Sequence, residues 1–287
     1  MKSFIFVSAL FVAASALASA PKIDVIYGDD NRLDVYESKD SAMVEVSKST
    51  AAMIPSDKLA AVNGETTING ETLESRGICA DERFADQMTA ANCSGFLVSE
   101  NVLVTAGHCI KTMADCESYK WVFDYKMDSA KQDSMKVPTS SVYTCTRIIA
   151  RTLDNMTKDD YAVVQLDRKV TDRRPLHFRK SGNIAVGEEV VVIGHPTGLP
   201  TKIADGANVR SRQSKFFVAN LDTYGGNSGS AVFNHKTGEV EGILVRGEND
   251  YVQDSARGCM ISNKCPADGC RGEDVTYITN IKALQNL

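Results

Sequence analysis

The sequence predicts an all-β protein that consists of two β-rich halves. Short runs of β-branched and aromatic residues recur between turn residues, a spacing typical of a β-sandwich or β-barrel. A polar and strongly basic stretch, residues 173–183, separates the two halves and is the candidate linker. Asn63–Gly64 and Asn69–Gly70 are dipeptides that favour tight hairpin turns. Residues 280–287 have helical spacing and predict a short C-terminal helix against the second half.

Eight segments between turn signals carry the strand pattern, four in each half. The predicted strands are residues 94–104, 120–125, 143–150, 161–166, 188–193, 214–218, 231–233 and 240–245.

Composition excludes several classes of function. The chain has 287 residues, of which 43% are hydrophobic and 24% are charged, so it can bury a substantial core. Its formal net charge of −5 lacks the basic character that nucleic acid or an anionic membrane would require. Neither nucleic acid nor, after export, a membrane is an expected partner.

The first twenty residues resemble a secretory signal peptide. Lys2 precedes an apolar run over residues 4–18, and small residues offer cleavage after Ala18 or Ala20. A membrane anchor is the alternative, but the run is short for a span and polar sequence follows. We therefore expect an exported protein, either secreted or periplasmic.

Eight cysteines follow the signal segment, as expected for an oxidising compartment. Their spacings match no common zinc motif and include no C-x-x-C pair, so disulfides are favoured over metal ligands. Cys93 and Cys109 flank a predicted strand that leads into His108, and a bridge between them would hold that strand. The other six cysteines, which allow fifteen pairings, are Cys79, Cys116, Cys145, Cys259, Cys265 and Cys270.

Residues 225–233, with the sequence GGNSGSAVF, contain the candidate nucleophile Ser228. Glycines beside a serine let the backbone turn sharply and bring peptide N–H groups near the hydroxyl. Such a segment alone is also compatible with an ordinary turn before a strand. A base elsewhere in the chain is needed to distinguish the two interpretations.

The candidate base is His108, in the segment 104–109 with the sequence VTAGHC. A serine hydroxyl becomes a strong nucleophile when an imidazole accepts its proton, and the imidazole needs an acceptor of its own. The other three histidines, His177, His195 and His235, lie in the linker or in predicted turns, where a role as a surface or turn residue is the simplest interpretation.

Asp160 is the candidate carboxylate because it begins the apolar strand 161–166 and could be partly buried there. Asp159 and Asp154 are the alternatives, and a solvated turn position is the simplest role for any one of them. The order histidine, aspartate, serine differs from the orders found in subtilisins and α/β-hydrolases.

Taken together, these motifs resemble those of the chymotrypsin-like serine proteases. The segments that carry the resemblance are 105–109 (TAGHC), 160–162 (DYA) and 226–230 (GNSGS). Residues 25–32 and 194–198 are similar to secreted bacterial members related to the glutamyl endopeptidases. The resemblance implies two antiparallel six-stranded barrels, over residues 21–172 and 173–287, with the active site between them.

The resemblance also implies the roles of the site residues. His108 and Asp160 would come from the first barrel and Ser228 from the second, and the N–H groups of Gly226 and Ser228 would form the oxyanion hole. The implied reaction is peptide-bond hydrolysis through an acyl-enzyme, with no metal or cofactor. Protein or peptide substrates and a monomeric enzyme are expected.

Specificity is predicted from the register around Ser228. Asp222 lies six residues before it, which is the position of the acid in the primary pocket of trypsin-like members, and Thr223 follows. Leu244 and Arg246 lie on the predicted opposing wall. An acid at Asp222 would favour cleavage after arginine or lysine, whereas Arg246 would neutralise that acid or attract acidic side chains.

Two departures from the family pattern affect this interpretation. Tyr224 stands where trypsin-like members have a half-cystine, and Leu244 stands where glutamyl endopeptidases have a histidine. Asn227 replaces the aspartate that pairs with a new amino terminus in many zymogens, so that activation switch is not expected. The alternatives to a basic preference are a glutamyl endopeptidase-like preference and a non-catalytic binding protein on the same fold.

Overall fold

The fold is described from a computed structural model that covers residues 26–132, 134–247 and 249–285. The predicted signal peptide lies outside the described residues. Within them, the first half contains strands β1 (Ile26–Tyr27), β2 (Arg32–Asp34), β3 (Thr50–Pro55), β4 (Leu59–Val62), β5 (Glu65–Ile68), β6 (Glu71–Thr72), β7 (Met88–Thr89), β8 (Cys93–Ser99), β9 (Val102–Thr105), β10 (Tyr119–Val122), β11 (Met135–Pro138), β12 (Val142–Leu153) and β13 (Asp160–Leu166).

The second half of the chain is also dominated by strands. They are β14 (Glu189–Gly194), β15 (Lys202–Arg212), β16 (Phe216–Ala219), β17 (Ala231–Asn234), β18 (Val240–Arg246), β19 (Tyr251–Asp254), β20 (Cys259–Ser262), β21 (Lys264–Cys265) and β22 (Glu273–Tyr277). The described α-helices are the short α1 (Ser41–Ser47) and α2 (Met113–Ser118), both in the first half.

Two closed antiparallel barrels of six strands form the fold, as predicted. The first has the strand order β3-β8-β9-β13-β12-β10, and the second has the order β14-β17-β18-β22-β16-β15, closed by pairing of β14 with β15. Each of the eight predicted strands overlaps a strand of one of the two barrels. The segment 94–104, predicted as one strand, folds as the hairpin of β8 and β9.

Alternate residues of β14 explain how the barrels pack together. Val190 and Val192 point into the core of the second barrel, whereas Val191 and Ile193 pack with the core of the first. Because successive side chains in a strand face opposite sides, one strand serves both cores. The cleft that holds the site lies where the two barrels meet.

The amino-terminal segment packs against the second barrel. Strand β2 pairs with β15, and β1 runs parallel to β21. This differs from the predicted division of the chain, in which the whole of 21–172 belongs to the first barrel. This placement matters because residues 26–34 reach the floor of the candidate site.

Three local predictions can be compared with the structure. Asn63 and Gly64 have φ angles of 53° and 85° and join β4 to β5, as expected for a tight hairpin turn. Asn69–Gly70 is not a hairpin turn, because β5 and β6 pair with different strands. The predicted C-terminal helix forms two successive 3₁₀ turns, Ile278–Asn280 and Lys282–Leu284, interrupted by the non-helical backbone of Ile281.

Candidate active site

His108 and Asp160 are hydrogen-bonded at the edge of the first barrel. Oδ2 of Asp160 lies 2.8 Å from Nδ1 of His108, and its Oδ1 accepts the backbone N–H of His108 at 3.1 Å. The Asp160 side chain is 2% exposed and that of His108 is 33% exposed. Gly107 permits this approach, since a Cβ there would lie 2.1 Å from the carbonyl oxygen of Thr152. The imidazole is therefore held through Nδ1, which leaves Nε2 to act on other groups.

The two alternative carboxylates have other partners. Asp159 accepts a hydrogen bond from the side-chain amide of Asn280 at 2.9 Å, and burial raises the pKa of Asp159 above its ordinary value. Asp154 accepts backbone N–H groups within its own turn, at Met156 and Thr157. Neither of these contacts involves His108.

The half-buried Ser228 lies in a turn that is fixed on both sides. Its carbonyl oxygen accepts the N–H of Ser94 at 2.8 Å, and the following Gly229 donates its N–H to the carbonyl of Leu244 at 2.7 Å. Gly229 has a φ of +91°, and a Cβ there would lie 2.0 Å from the carbonyl oxygen of Ser94. Only glycine fits this close approach, which explains the glycine after the serine.

The backbone of Gly226 is held by hydrogen bonds on each side. The carbonyl of Gly225 accepts the N–H of Thr197, and the carbonyl of Gly226 accepts the hydroxyl of Ser94 at 2.9 Å. In a trans peptide the N–H points opposite to the preceding carbonyl, so the N–H of Gly226 faces away from Thr197. A Cβ on Gly226 would lie 2.5 Å from the carbonyl oxygen of His195.

Ser94 links the parts of the site, and the sequence analysis missed it. Besides its bonds to the nucleophile turn, its hydroxyl accepts the N–H of His195 at 3.0 Å. The neighbouring Cys93 forms a disulfide with Cys109, the residue after His108. One strand end therefore connects the candidate base to the candidate nucleophile. In the sequence, the available signal was a polar residue directly after a cysteine and at the start of an otherwise apolar strand.

All eight cysteines form disulfides, as the sequence analysis expected. The pair Cys93–Cys109 was named there, and the structure adds the other three pairings. They are Cys79–Cys259, Cys116–Cys145 and Cys265–Cys270. Sulfur atoms committed to disulfides do not act as thiolate ligands, which leaves the zinc alternative without ligands.

His195 lies in the predicted turn but is not at the surface. It is fully buried, its Nδ1–H donates to the carbonyl of Leu199 at 3.0 Å, and its ring stacks on Tyr125 of the first barrel. Burial lowers the pKa of His195 to about 3, so the ring is neutral. Its turn packs between the barrels, and this position explains why the side chain is inaccessible.

A small pocket opens beside Ser228. Three of the four predicted substrate-binding residues line it, namely Thr223, Leu244 and Arg246. Its other lining residues include Glu273, which the sequence analysis did not identify because no motif surrounds it. Asp222 is not among the lining residues.

The carboxylate of Asp222 faces the amino-terminal segment. Its two oxygens accept the backbone N–H groups of Tyr27 at 2.8 Å and Asn31 at 2.9 Å. Burial raises the pKa of Asp222 to about 6. The register of the sequence predicts Asp222 at the floor of the pocket, and this prediction does not match the structure. Both carboxylate oxygens already accept hydrogen bonds from the amino-terminal segment.

Arg246 has acidic partners outside the pocket. Its Nε donates to Oδ2 of Asp274 at 3.1 Å, Nη2 donates to the carbonyl of Lys158 at 2.8 Å, and Nη1 lies 3.7 Å from Oδ2 of Asp160. The guanidinium therefore joins the pocket wall to the carboxylate beside His108. Ser228 and Arg246 line the same pocket.

A protein-family model described as the trypsin-like peptidase domain matches residues 93–243. These residues make up just over half of the chain and include His108, Asp160 and Ser228. The chain belongs to the trypsin-like peptidase family. It is thus a serine protease, which acts on protein or peptide substrates.

A solved structure described as a Glu endopeptidase in complex with MPD is similar to this trypsin-like peptidase. The TM-score is 0.52 at 16% sequence identity, and the match covers 91% of this chain and 98% of the other. This likeness confirms the predicted two-barrel fold. No curated protein matches the sequence. No helix among the described residues is both long and apolar enough to cross a membrane.

Proposed function

We propose that the protein is an exported serine endopeptidase in which Ser228 is the nucleophile, His108 the general base and Asp160 the carboxylate that orients it. The observation that carries the proposal is the 2.8 Å contact between Nδ1 of His108 and Oδ2 of Asp160. Because Asp160 fixes one ring nitrogen, Nε2 is the atom left to accept the serine proton.

The reaction follows from these assignments. As Oγ of Ser228 attacks the carbonyl carbon of the scissile bond, its proton moves to Nε2 of His108. The tetrahedral intermediate collapses, the C–N bond breaks, and the imidazolium gives its proton to the leaving amine. A water molecule then attacks the acyl-enzyme in the same way and releases the acid and the free serine.

Gly226 and Ser228 are the proposed oxyanion donors. Hydrogen bonds to the carbonyls of Gly225 and Gly226 fix the backbone on both sides of the N–H of Gly226. This N–H would face the developing negative charge. Preorganised donors of this kind contribute about 3 kcal/mol each to lowering the barrier.

Endopeptidase activity requires space on both sides of the scissile bond. One pocket lies beside Ser228. A larger cavity is lined by Gly225 and Gly226 and by residues that include Asn92, Thr197 and Arg76. The nucleophile turn therefore borders two cavities, and a substrate chain that binds in both would extend past Ser228.

Export is part of the proposal and is supported by the four disulfides, which form in oxidising compartments. We propose a preference for arginine or lysine before the scissile bond. The acidic alternative is less favoured, because the guanidinium of Arg246 already faces Asp274 and Asp160.

A fluorophosphonate probe tests the catalytic assignment, since it reacts with an activated serine. We expect the wild type to be labelled, Ser228→Ala not to be labelled, and His108→Ala to react at least about 10³-fold more slowly. Ser214→Ala, at an exposed serine, is the matched control and should be labelled like the wild type. An unlabelled wild type would contradict the proposal and favour a binding protein on the same fold.

A further inference from the structure

A buried carboxyl group lies at the floor of the pocket beside Ser228. Glu273 begins strand β22 and is 1% exposed. The pocket that it closes is lined by Thr223, Tyr224, Gly225, Ser228, Leu244, Arg246, Gly247 and Glu273.

Neutral hydroxyl groups are the partners of Glu273. Its Oε2 accepts the hydroxyl of Thr223 at 3.1 Å, and its Oε1 lies 3.3 Å from the hydroxyl of Tyr27. Among residues 26–132, 134–247 and 249–285, no lysine or arginine forms an ion pair with this carboxyl group. A buried carboxyl group ionises at a high cost when no cation is present, so a ligand that supplies a cation favours the ionised form of Glu273.

The other charged residue that lines the pocket is already neutralised. Arg246 is bound by Asp274 and lies close to Asp160, while its Nη2 donates to a backbone carbonyl. It is therefore not a free cation for an acidic substrate side chain. Of the acidic and basic side chains that line the pocket, Glu273 is therefore the one without an oppositely charged partner among the described residues.

The remaining walls combine an apolar surface with a polar end. Leu244 is apolar and buried, and could pack against a hydrocarbon stem. Glu273 and the hydroxyl of Thr223 are at the polar end. Lysine and arginine combine such a stem with a cationic head.

We propose that Glu273, and not Asp222, determines specificity by binding the ammonium or guanidinium group of the substrate residue before the scissile bond. This inference rests on the proposed function, because it needs Ser228 to be the nucleophile. An acidic side chain would place a second carboxylate beside the first and be rejected. The substrates are thus peptides with lysine or arginine at that position.

The test compares peptides that differ only in the residue before the scissile bond, namely lysine, arginine, norleucine and glutamate. In the wild type we expect kcat/KM for the basic peptides to exceed that for norleucine by about 100-fold, as a buried charge pair would give. Glu273→Gln should remove most of this preference, and Glu273→Asp should restore part of it. Glu74→Gln, at an exposed glutamate, should leave the preference unchanged.

Labelling by the fluorophosphonate probe separates the two proposals. An unlabelled wild type overturns the proposed function and this inference with it. If Glu273→Gln is labelled and still prefers lysine over norleucine as strongly as the wild type, Glu273 is not the specificity residue and only the inference fails.

A second measurement uses the wild type alone and does not depend on any variant folding. Benzamidine, a planar cation, should slow labelling of Ser228 by competing for the pocket, whereas the neutral benzamide at the same concentration should not. Equal effects of the two compounds would overturn the role of Glu273 as a cation site.

Discussion

The backbone N–H of Tyr27 donates a 2.8 Å hydrogen bond to Oδ1 of Asp222, although 195 residues separate them in sequence. Tyr27 also places its hydroxyl beside Oε1 of Glu273, at 3.3 Å. The nearby Arg32 lies over the ring of Tyr224, which lines the pocket. The amino-terminal segment is therefore a structural support of the pocket, with Asp222 as its anchor.

The anchor makes stability depend on pH in a predictable direction. Burial raises the pKa of Asp222 from 3.8 to about 6, so the folded protein binds this proton more tightly than the unfolded chain. The contribution of Asp222 to the free energy of unfolding is fully present below about pH 4. It is lost as the pH rises through about 6, and the total loss is roughly 3 kcal/mol. Asp222→Asn should therefore gain stability relative to the parent as the pH rises from about 4 to 7.

Chemical denaturation in the Ser228→Ala background measures this effect without self-digestion. Asp86→Asn supplies the control variant, since it makes the same substitution at an exposed carboxyl group. A difference between Asp222→Asn and the parent that stays constant with pH would show that the carboxyl group titrates normally.

Gly226→Ala should reduce turnover rather than substrate binding. The φ of Gly226 is +97°, and an added Cβ would lie 2.5 Å from the carbonyl oxygen of His195, so the peptide that carries the oxyanion donor must shift. Loss of one donor lowers kcat by about 10²- to 10³-fold. Steady-state kinetics on a lysine peptide would measure this, with KM changing much less than kcat.

Gly182→Ala is the matched control for backbone strain. Gly182 also has a positive φ, of +70°, but a Cβ there meets nothing within 4 Å. It should cost about 1 kcal/mol of stability and leave kcat unchanged. A Gly226→Ala enzyme with kcat within tenfold of the wild type would argue against Gly226 as a donor.

The sequence predicted the parts of the site that depend on short motifs. Asp160 was chosen over Asp159 because it begins a strand, and the structure places it beside His108. The glycines around Ser228 predict a tight turn, and the structure has no room for a Cβ on Gly229. Such signals are local, so they can be recognised without knowing the fold.

Long-range packing explains what the sequence did not predict. Asp222 occupies the expected register, but its orientation depends on the distant residues Tyr27 and Asn31. Glu273 reaches the pocket only because β22 pairs with β18, and nothing in its neighbouring sequence marks it. Strand β3 was missed since its residues, TAAMIP, are almost all buried and show no alternation.

Removing the Cys93–Cys109 disulfide should impair both stability and catalysis. The bridge closes a loop of 16 residues and ties Cys109, next to His108, to the strand that contacts Ser228. Replacing both cysteines by alanine should cost about 3 kcal/mol. It should also lower kcat at temperatures where the variant is fully folded, because the imidazole loses its rigid support.

The Cys116–Cys145 bridge provides the comparison, since it closes a loop of 29 residues and joins α2 to β12. Its removal should cost a similar amount of stability. We expect kcat to be retained in that variant when measured well below its unfolding temperature. Equal losses of kcat in the two variants would mean that the first bridge has no special role in holding His108.

The preference for basic substrates should increase with pH. Burial raises the pKa of Glu273 well above its ordinary value, and the negative charges of Asp250 and Asp274 act in the same direction. The hydroxyls of Thr223 and Tyr27 oppose the shift by stabilising the carboxylate. The empty pocket thus holds a neutral carboxyl group at low pH, and only the ionised form attracts a cation.

The ratio of kcat/KM for a lysine peptide to that for a norleucine peptide isolates this titration. Any effect of pH that the two peptides share, such as one on the general base, cancels in the ratio. We expect the ratio to rise with pH in the wild type, over a range in which the peptide lysine stays charged. In Glu273→Gln it should be low and flat, because no carboxylate forms. A wild-type ratio that does not change over this range would place the basic preference, if present, on a group other than Glu273.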